Sequence, residues 1–289
     1  MLTRESPCKI NLLLNILGRR PDGFHELETV MHPVQLCDRL RFELTGDRVA
    51  LTCSDPQLAV DGTNLVHRAA TAFLQTAGIQ QGVRLHLEKR IPMAAGLGGG
   101  SGDAAVTLLG LNELFGGPLG AAQLHEIAAA LGSDVPFFLQ PRPALAMGRG
   151  ERVEAVDFFP CLRDVHVLLV HPGFGIATAW AYQQLVNFPS ALHGQAGRAR
   201  QLVANLRAGD LGAAEADFYN SLEAPALHKY PLLALFQEFF RAHGAFASLM
   251  SGSGSTTFAL VHGRADAENL QASFRAKFGE THWTAVVPL

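Results

Sequence analysis

The segment MAAGLGGGSGDAA, from Met93 to Ala105, constrains the fold more than any other part of the chain. A half-buried strand is predicted directly before it, because residues 83 to 88 alternate between apolar and polar side chains. An alanine-rich helix is predicted to begin near Ser101, because Ala104, Leu108, Leu111 and Phe115 recur at helical spacing. The chain is therefore predicted to be an α/β protein in which this loop joins a strand to a helix.

The glycines of this loop predict a binding site for an anion. Residues without a Cβ atom let backbone N–H groups approach a ligand, and a helix N-terminus favours negative charge. A nucleotide phosphate is the expected anion. The loop lacks the Gly-Lys-Ser/Thr ending of a Walker loop, and Ser101 stands where the Rossmann pattern needs a third glycine. The alternative is a flexible linker, although linkers rarely run straight into a good helix former.

Length and composition favour a globular protein that binds a small molecule. A chain of 289 residues exceeds what one hydrophobic core usually serves, so about two domains are expected. The weakest continuity lies at Gly148 to Gly150 and Pro160, which predicts domains over residues 1–158 and 159–289. With 48% hydrophobic and 17% charged residues, a disordered chain is excluded. A net charge of −3 without a basic block gives no indication of a nucleic-acid or membrane partner.

Cysteine spacing and hydropathy predict a cytoplasmic protein. The four cysteines lie far apart and form no Cys-x-x-Cys pair, so neither a disulfide framework nor a zinc site is expected. The apolar run from Ile10 to Leu17 is interrupted by two asparagines and is not followed by a cleavage site for a signal peptidase. No apolar segment reaches the roughly 18 residues that a transmembrane helix requires.

Further elements follow from periodicity and from start and stop signals. Strands are predicted at residues 9–16, 39–44, 49–53 and 165–170. One helix is predicted to be capped by Asn64 and to stop at Gly78, and another to run over residues 121–131 and end at Gly132. The late segment SGSGST, residues 251–256, is predicted to be a tight connection between two strands rather than a flexible spacer.

Two charged residues are candidates for phosphoryl or proton transfer chemistry. Asp134 precedes Pro136 and two phenylalanines, and a carboxylate in a partly apolar setting can act as a general base. The alternative is an N-cap, because a proline near a helix start makes capping credible. Lys9 lies in an apolar strand, where its ammonium either reaches a polar pocket or simply snorkels to solvent. Asn11 is predicted to point to the same face as Lys9.

Three separated motifs resemble those of the GHMP small-molecule kinases. They are SPCKINLLL near the start, PMAAGLGGGSGDAA in the middle and SGSGSTTFAL near the end, in the family's order and approximate spacing. The segments RRPDGFHEL, LGSDVPFF and HPGFGIAT are similar to those of a branch that acts on a cytidine-diphosphate-linked methylerythritol. The resemblance implies a two-domain α/β (α+β) GHMP kinase fold with the active site in the cleft between the domains. It also implies that ATP phosphorylates a tertiary hydroxyl of this polyol in the non-mevalonate route to isoprenoid precursors.

The resemblance carries roles onto individual residues of this chain. It implies that Lys9 and Asp134 are catalytic. It implies that the acceptor is bound by Asn11, Phe24, His25, Thr178 and Tyr182. It implies an ATP site formed by Asn64, Leu65, Lys89, Pro92, Met93, Ala94, Ala95, Gly96, Leu97, Gly98, Gly99, Gly100, Ser101, Gly102 and Asp103.

From local sequence alone, ordinary core packing for Phe24 and Tyr182 and turn capping for His25 are the simpler interpretations. Three positions depart from the family pattern, and one of them is Cys8, which replaces a usual alanine. Phe24 replaces a common tyrosine, and Gly102 stands where serine or alanine is frequent.

The expected ligands are ATP with Mg²⁺ and a cytidine-diphosphate-linked polyol, with no prosthetic group. Mg²⁺ is implied because it bridges phosphate oxygens in ATP chemistry, although no dedicated metal motif is visible. A monomer or a homodimer fits the sequence equally well. The alternatives are a GHMP kinase for homoserine, mevalonate or a sugar, and a regulator that binds nucleotide without catalysis.

Overall fold

Two long strands open the chain and extend beyond the predicted strands at both ends. The structure is a computed structural model that describes residues 1–46, 48–140 and 142–289. Strand β1 spans Leu2–Arg19 and strand β2 spans His25–Thr45. Strand β1 lies between β2 and β8 in the sheet, and its centre is buried without alternation, as in a strand that is covered on both faces. The strand type was therefore predicted correctly, but the polar outer residues concealed the full length.

The remaining elements are strands and helices that occur both singly and in runs of one kind. The strands are β3 Val49–Cys53, β4 Gly82–Glu88, β5 Ala144–Gly148, β6 Arg152–Ala155, β7 Val165–His171, β8 Tyr219–Asn220, β9 Ala247–Met250, β10 Thr257–His262 and β11 Trp283–Pro288. The helices are α1 Leu65–Ala77, α2 Gly99–Leu114, α3 Ala121–Leu131, α4 Thr178–Gln184, α5 Pro189–Leu192, α6 Arg198–Ala208, α7 Leu211–Glu215, α8 Glu223–Lys229, α9 Pro231–Ala242 and α10 Arg264–Phe278. Short 3₁₀ turns lie at Pro136–Leu139, Pro160–Leu162 and Leu185–Asn187.

The chain divides into two units, and neither is continuous in sequence. The first unit comprises Met1–Cys8, Leu36–Pro92 and Gly98–Pro141. The second comprises Lys9–Gln35, Met93–Leu97 and Arg142–Leu289. Strands β1 and β2 contribute residues to both units. The predicted domain boundary between residues 158 and 159 stays a prediction.

In the first unit, helices cover a small sheet. The second half of β2 pairs antiparallel with β4, from Arg39 opposite Glu88 onward, and β3 pairs parallel with β4. Helices α1, α2 and α3 pack against one another. Gly110 of α2 lies against Phe42 of β2, which is fully buried, and a Cβ atom on Gly110 would come within 2.6 Å of the phenylalanine Cζ. A glycine is therefore needed where this helix approaches the sheet.

The predicted helix ends of the first unit are confirmed. The Asn64 side chain accepts a hydrogen bond of 2.8 Å from the Val66 amide and caps α1. Gly78 ends α1 in the left-handed conformation, with a φ of 66°. Helix α3 ends at Leu131, directly before Gly132. These signals are local, which is why the sequence reveals them.

In the second unit, one sheet is built on the first two strands. Strand β1 lies beside β2 and pairs parallel with β8 through Leu13 and Leu14. Strand β5 pairs antiparallel with β2 and forms a hairpin with β6. Gly148 and Gly150, with φ values of 77° and 106°, lie at the turn of this hairpin. The break in pattern at these glycines therefore marks a hairpin turn and not a linker.

The second unit also holds a four-stranded antiparallel sheet in the order β11, β7, β10, β9. Helices α9 and α10 pack on it around Phe236, Phe240 and Phe274, which are fully buried. Strands β9 and β10 form a hairpin joined by residues 251–256. The prediction that SGSGST is a tight connection between strands is confirmed. Among the described residues, no helix combines the length and the apolar character needed to cross a bilayer.

Candidate active site

The first unit contains the helix start that follows the glycine-rich loop. Helix α2 begins at Gly99, two residues before the predicted start at Ser101, and its N-cap is Gly98 with a φ of 70°. No side chain caps this end, so no side-chain acceptor occupies the N–H groups of the first turn. Such a helix end attracts an anion through its N–H groups and its dipole.

Gly102 lets α2 approach the first strand closely. A Cβ atom at this position would lie 2.7 Å from the Pro7 carbonyl oxygen and 3.0 Å from the Ser6 Oγ atom. The serine or alanine that is frequent here in the resembling family would therefore force the backbone of Pro7 or the helix to move. In this chain, Gly102 contributes close packing rather than a side-chain contact.

A buried charge cluster lies beside the start of α2. The Lys89 ammonium pairs with Asp38 and lies 3.1 Å from the Asp103 Oδ2 atom. Asp38 is fully buried, and its Oδ1 atom accepts hydrogen bonds from the amides of Arg90 at 2.5 Å and Ile91 at 2.9 Å. Asp38 therefore links the turn before the glycine-rich loop to the first helical turns after it.

Burial and charge act in opposite directions on this cluster. Burial alone would lower the pKa of Lys89, but the carboxylates of Asp103 and Asp38 outweigh burial and raise that pKa. Burial raises the pKa of Asp103, although the Lys89 ammonium acts against it. Lys89 and Asp103, both predicted as nucleotide contacts, are thus part of a buried ion-pair network. Asp38 was missed, because β2 also carries Glu26, Glu28 and Glu43 and no local pattern in the sequence distinguishes Asp38 from them.

Other predicted residues of the first unit occupy separate local settings. The Asn64 amide donates a bond of 2.6 Å to the Ala59 carbonyl oxygen in addition to capping α1. Leu65 lies beside the first turn of α2, 3.7 Å from where a Cβ atom of Gly100 would stand.

Asp134 is half-buried in the turn after α3. The N-cap of the following 3₁₀ turn is Val135, one residue after Asp134.

In the second unit, residues 93–97, which form the first part of the glycine-rich loop, are held against the β9–β10 hairpin loop. The Ser251 hydroxyl donates to the Gly96 carbonyl oxygen at 3.0 Å, and the Thr256 amide donates to the Ala95 carbonyl oxygen at 3.1 Å. Gly96 has a φ of 77°, and a Cβ atom on it would stand 2.0 Å from the Ser251 carbonyl oxygen. Two backbones therefore meet here with no room for a side chain.

Lys9 is buried in the second unit beside polar side chains. It is 3% exposed, so the alternative that it snorkels to solvent is wrong. Its Nζ atom donates to the Asn11 Oδ1 atom at 2.5 Å, which confirms that Lys9 and Asn11 share a face. The Asn11 amide donates to the Thr29 hydroxyl at 2.8 Å, and that hydroxyl donates to the Leu13 carbonyl oxygen. The Lys9 amide donates to the Leu97 carbonyl oxygen at 2.9 Å and so ties β1 to segment 93–97.

The predicted acceptor residues lie in the second unit. The rings of His25 and Tyr182 contact each other, with centroids 5.1 Å apart. The Thr178 hydroxyl is 2.8 Å from the Ser253 hydroxyl in the hairpin loop. Burial, followed by the Arg19 charge, lowers the pKa of His25, which favours the neutral imidazole near neutral pH. A neutral ring offers both a donor and an acceptor to a ligand.

Phe24 is 52% exposed, so ordinary core packing does not explain it. The Arg149 guanidinium lies 4.6 Å from the centre of its ring. The turn before Phe24 is capped by Asp22, which accepts a bond of 3.1 Å from the Phe24 amide, and this observation removes the need for His25 in that role. Arg149 was missed because the glycines around it were interpreted as a domain boundary.

Family models match two separate parts of the chain. The model described as GHMP kinases N terminal domain matches residues 64–141, and the model described as GHMP kinases C terminal matches residues 202–280. A 4-diphosphocytidyl-2-C-methyl-D-erythritol kinase of Acaryochloris marina is 40% identical over 278 residues, which cover 92% of this chain and 89% of the relative. The chain belongs to the GHMP kinase family.

Solved structures extend the comparison to the whole GHMP kinase fold. A crystal structure of a 4-(cytidine 5'-diphospho)-2C-methyl-D-erythritol kinase matches with a TM-score of 0.82 and 36% identity, and the match covers 100% of both chains. A homoserine kinase from Cytophaga hutchinsonii matches with a TM-score of 0.77, covering 99% of this chain and 93% of that one, but only 20% of the residues are identical. The second match shows the shared fold alone. The mixed α/β GHMP kinase architecture predicted from the motifs is thus confirmed.

Proposed function

We propose that this GHMP kinase transfers the γ-phosphate of ATP to the 2-hydroxyl of 4-diphosphocytidyl-2-C-methyl-D-erythritol, giving the 2-phosphate and ADP. The observation that carries the proposal is the 36% identical structure of a kinase with that name, which matches over 100% of both chains. The contact between His25 and Tyr182, beside the exposed Phe24, gives this chain aromatic surface suited to a flat base such as cytosine. The reaction is a step of the non-mevalonate route to isoprenoid precursors.

The proposed transfer needs one proton acceptor. The acceptor oxygen forms a bond to the γ-phosphorus, the bond between that phosphorus and the bridging oxygen of ADP breaks, and the hydroxyl proton leaves. We assign this proton to the Asp134 carboxylate. Its half-buried position, directly before the buried residues Val135, Pro136 and Phe137, supports the assignment, because a carboxylate held in a turn can accept a proton from a bound hydroxyl.

We assign Lys9 to the stabilisation of charge on the transferred group. Its ammonium is buried, and the Asn11 amide oxygen that accepts from it limits its motion. A fixed ammonium in a site with little water stabilises developing negative charge more strongly than a mobile surface lysine does. Asn11 thereby orients Lys9, in addition to its proposed contact with the acceptor.

We propose that ATP is held through Pro92 to Asp103, with Asn64, Leu65 and Lys89 near the adenine. The uncapped start of α2 supports phosphate binding there. Mg²⁺ bound with ATP would neutralise phosphate charge and is held largely by phosphate oxygens and water. Ser101, in the uncapped first turn of α2, is the residue that we propose near the phosphate or the metal. No group of three or more metal-ligating His, Cys, Asp or Glu side chains lies within the described part of the chain.

We further propose that the protein acts in the cytoplasm as a monomer or a homodimer.

Kinases for homoserine, mevalonate or a sugar share this fold, so a panel of acceptors is the decisive experiment. The purified chain is incubated with magnesium and ATP and with the cytidylyl polyol, homoserine, mevalonate or galactose, and transfer is followed by phosphorus NMR. We expect transfer to the cytidylyl polyol alone. Transfer to another acceptor would contradict the proposed substrate, and ATP binding without transfer to any acceptor would favour a regulator.

A further inference from the structure

The β9–β10 hairpin loop contacts three parts of the proposed site within the second unit. It holds Gly96 and Ala95 of the glycine-rich segment through Ser251 and Thr256. Its Gly252 lies so close to Lys9 that a Cβ atom there would stand 3.2 Å from the lysine Nζ atom. Its Ser253 hydroxyl lies 2.8 Å from the Thr178 hydroxyl. The position of this loop therefore affects nucleotide, lysine and acceptor contacts together.

The loop needs an external restraint because of its own composition. Two of its six residues, Gly252 and Gly254, are glycines with φ values of 56° and 86°. Glycine loses more backbone entropy on ordering than any other residue, so such a loop does not hold one conformation unaided.

Asn220, in the short strand β8, supplies that restraint. It is 1% exposed, and its Nδ2 atom donates to the carbonyl oxygens of Met250 at 2.7 Å and Gly252 at 2.8 Å. Its Oδ1 atom accepts from the Leu222 amide at 2.9 Å. The residue is itself fixed to the sheet, because it pairs with Leu14 of β1. One buried amide thus joins β1 to both sides of Ser251.

We propose that Asn220 is a positioning residue of the kinase: it fixes Met250 to Gly252 so that Ser251 meets Gly96 and Gly252 leaves Lys9 in place. The inference rests on the proposed function, in which segment 93–97 binds ATP phosphates and Lys9 acts on the transferred group. Asn220 is not placed to bind the substrates, since it is buried, both of its side-chain N–H groups donate to the backbone and its side-chain oxygen accepts from the Leu222 amide. It acts only through the loop.

The test uses Asn220→Asp, which keeps the shape and the acceptor for Leu222 but turns the donor into an oxygen. That oxygen faces two carbonyl oxygens, so two hydrogen bonds are lost and the loop is repelled. Binding of magnesium with a non-hydrolysable ATP analogue is measured by calorimetry, and kcat and the KM values are measured under the same conditions. We expect Kd for the analogue to rise at least ~10-fold and kcat to fall at least ~10-fold.

The binding data separate positioning from a general loss of folded protein. Partial unfolding lowers the titrated stoichiometry and kcat but leaves Kd unchanged in the folded fraction. An unchanged Kd and KM for ATP in folded Asn220→Asp would overturn the proposal. If that variant does not fold, Asn220→Ser takes its place in the same comparison, because it removes both amide N–H groups without adding charge and its single, shorter hydroxyl cannot replace the two bonds. An unchanged Kd in Asn220→Ser would then overturn the proposal.

Asn205→Asp is the matched control. Asn205 of α6 donates to the Asp217 carboxylate at 2.7 Å and accepts from Gln201, neither of which belongs to the hairpin loop. We expect the Asn205→Asp variant to bind the ATP analogue with the Kd of the wild type, even if the free energy of unfolding of the variant falls. Wild-type protein that binds the analogue but phosphorylates no cytidylyl polyol would contradict the proposed function, while the comparison of Kd values would still decide the role of Asn220.

Discussion

The Lys9 ammonium is a buried charge, and its burial depends on the polar side chains around it. A lysine that is 3% exposed requires polar partners, because transferring an unpaired ammonium out of water is costly. The Asn11 amide is one of these partners, and Thr29 on the next strand orients that amide. The sequence predicted the shared face of Lys9 and Asn11 from their spacing of two. Thr29 could not be predicted, since it depends on the register between two strands.

Asp134 gives the most direct test of the proposed chemistry. In Asp134→Asn the proton acceptor is removed while the side-chain shape is kept, so kcat should fall at least ~10²-fold with little change in binding of either substrate. Steady-state kinetics and calorimetry measure the two effects separately. Asp157→Asn, at a carboxylate whose side chain is 88% exposed, is the control and should keep its activity. A near-normal kcat for Asp134→Asn would exclude it as the base.

Gly96 combines a left-handed backbone with a close backbone contact. Gly96→Ala should lower the free energy of unfolding by roughly 2 kcal/mol or more, because the new Cβ atom meets the Ser251 carbonyl oxygen and the φ of 77° is unfavourable for alanine. Urea denaturation measures the loss. Gly209→Ala has almost the same φ, 78°, but no atom within 4 Å of its Cβ position, so it isolates the backbone contribution. If the free energy of unfolding falls equally in the two variants, the contact with the Ser251 carbonyl oxygen adds no cost of its own.

At the scale of elements, the helices of the first unit were easier to predict than the strands. Asn64 and Gly78 form their caps within a few residues of α1, so the signal is local in sequence. The ends of β1 and β2 depend instead on pairing with strands far along the chain, which periodicity does not report. The short strand β8, with two residues, gives no signal at all before β1 is known as its partner.

Helix α8 carries a buried carboxyl group that should make stability depend on pH. Burial raises the pKa of Glu223 to about 7, despite bonds from the Met250 amide and Gln237 and the charge of Arg241. The folded state therefore holds this proton more tightly than the unfolded chain, whose glutamate pKa is near 4.5. The contribution of Glu223 to stability thus falls as the pH rises from about 4.5 to about 7 and is constant above that range.

Glu223→Gln tests this dependence because it keeps the size and an acceptor oxygen but removes the charge. At about pH 8 the variant should be more stable than the wild type by roughly 1 to 2 kcal/mol, and the difference should vanish near pH 5. Urea denaturation across this pH range measures it. Glu238→Gln, on the exposed side of α9, is the matched control and should change stability little at either pH. A constant difference across the range would contradict the assigned titration.

At the scale of the whole molecule, the motifs predicted the family and the fold class, while the arrangement of contacts could not be predicted. The three motifs, two of which contain glycine, are visible in the linear sequence, and the GHMP kinase fold that they predict is the one observed. The two units, by contrast, interleave three segments each, because β1 and β2 serve both. This interleaving depends on contacts between segments that are distant in sequence, which the linear sequence does not report.

Ligand binding should stabilise the whole chain if the proposed ATP site is correct. With magnesium and an ATP analogue at about 100 times its Kd, the free energy of unfolding should rise by about 2.7 kcal/mol, because only the folded chain binds the nucleotide. Thermal denaturation with and without the analogue measures the effect, and the same concentration of homoserine serves as the control ligand. The absence of a shift at saturating analogue would argue against a nucleotide site.

The contact between Gly110 and Phe42 limits how this sequence can diverge. A methyl group at position 110 would overlap the ring of a phenylalanine that has no free space to enter, since Phe42 is fully buried. A smaller residue at position 42 on its own would leave a cavity under the helix. Either substitution is therefore harmful alone, and lineages that differ at one of these two positions should differ at the other as well.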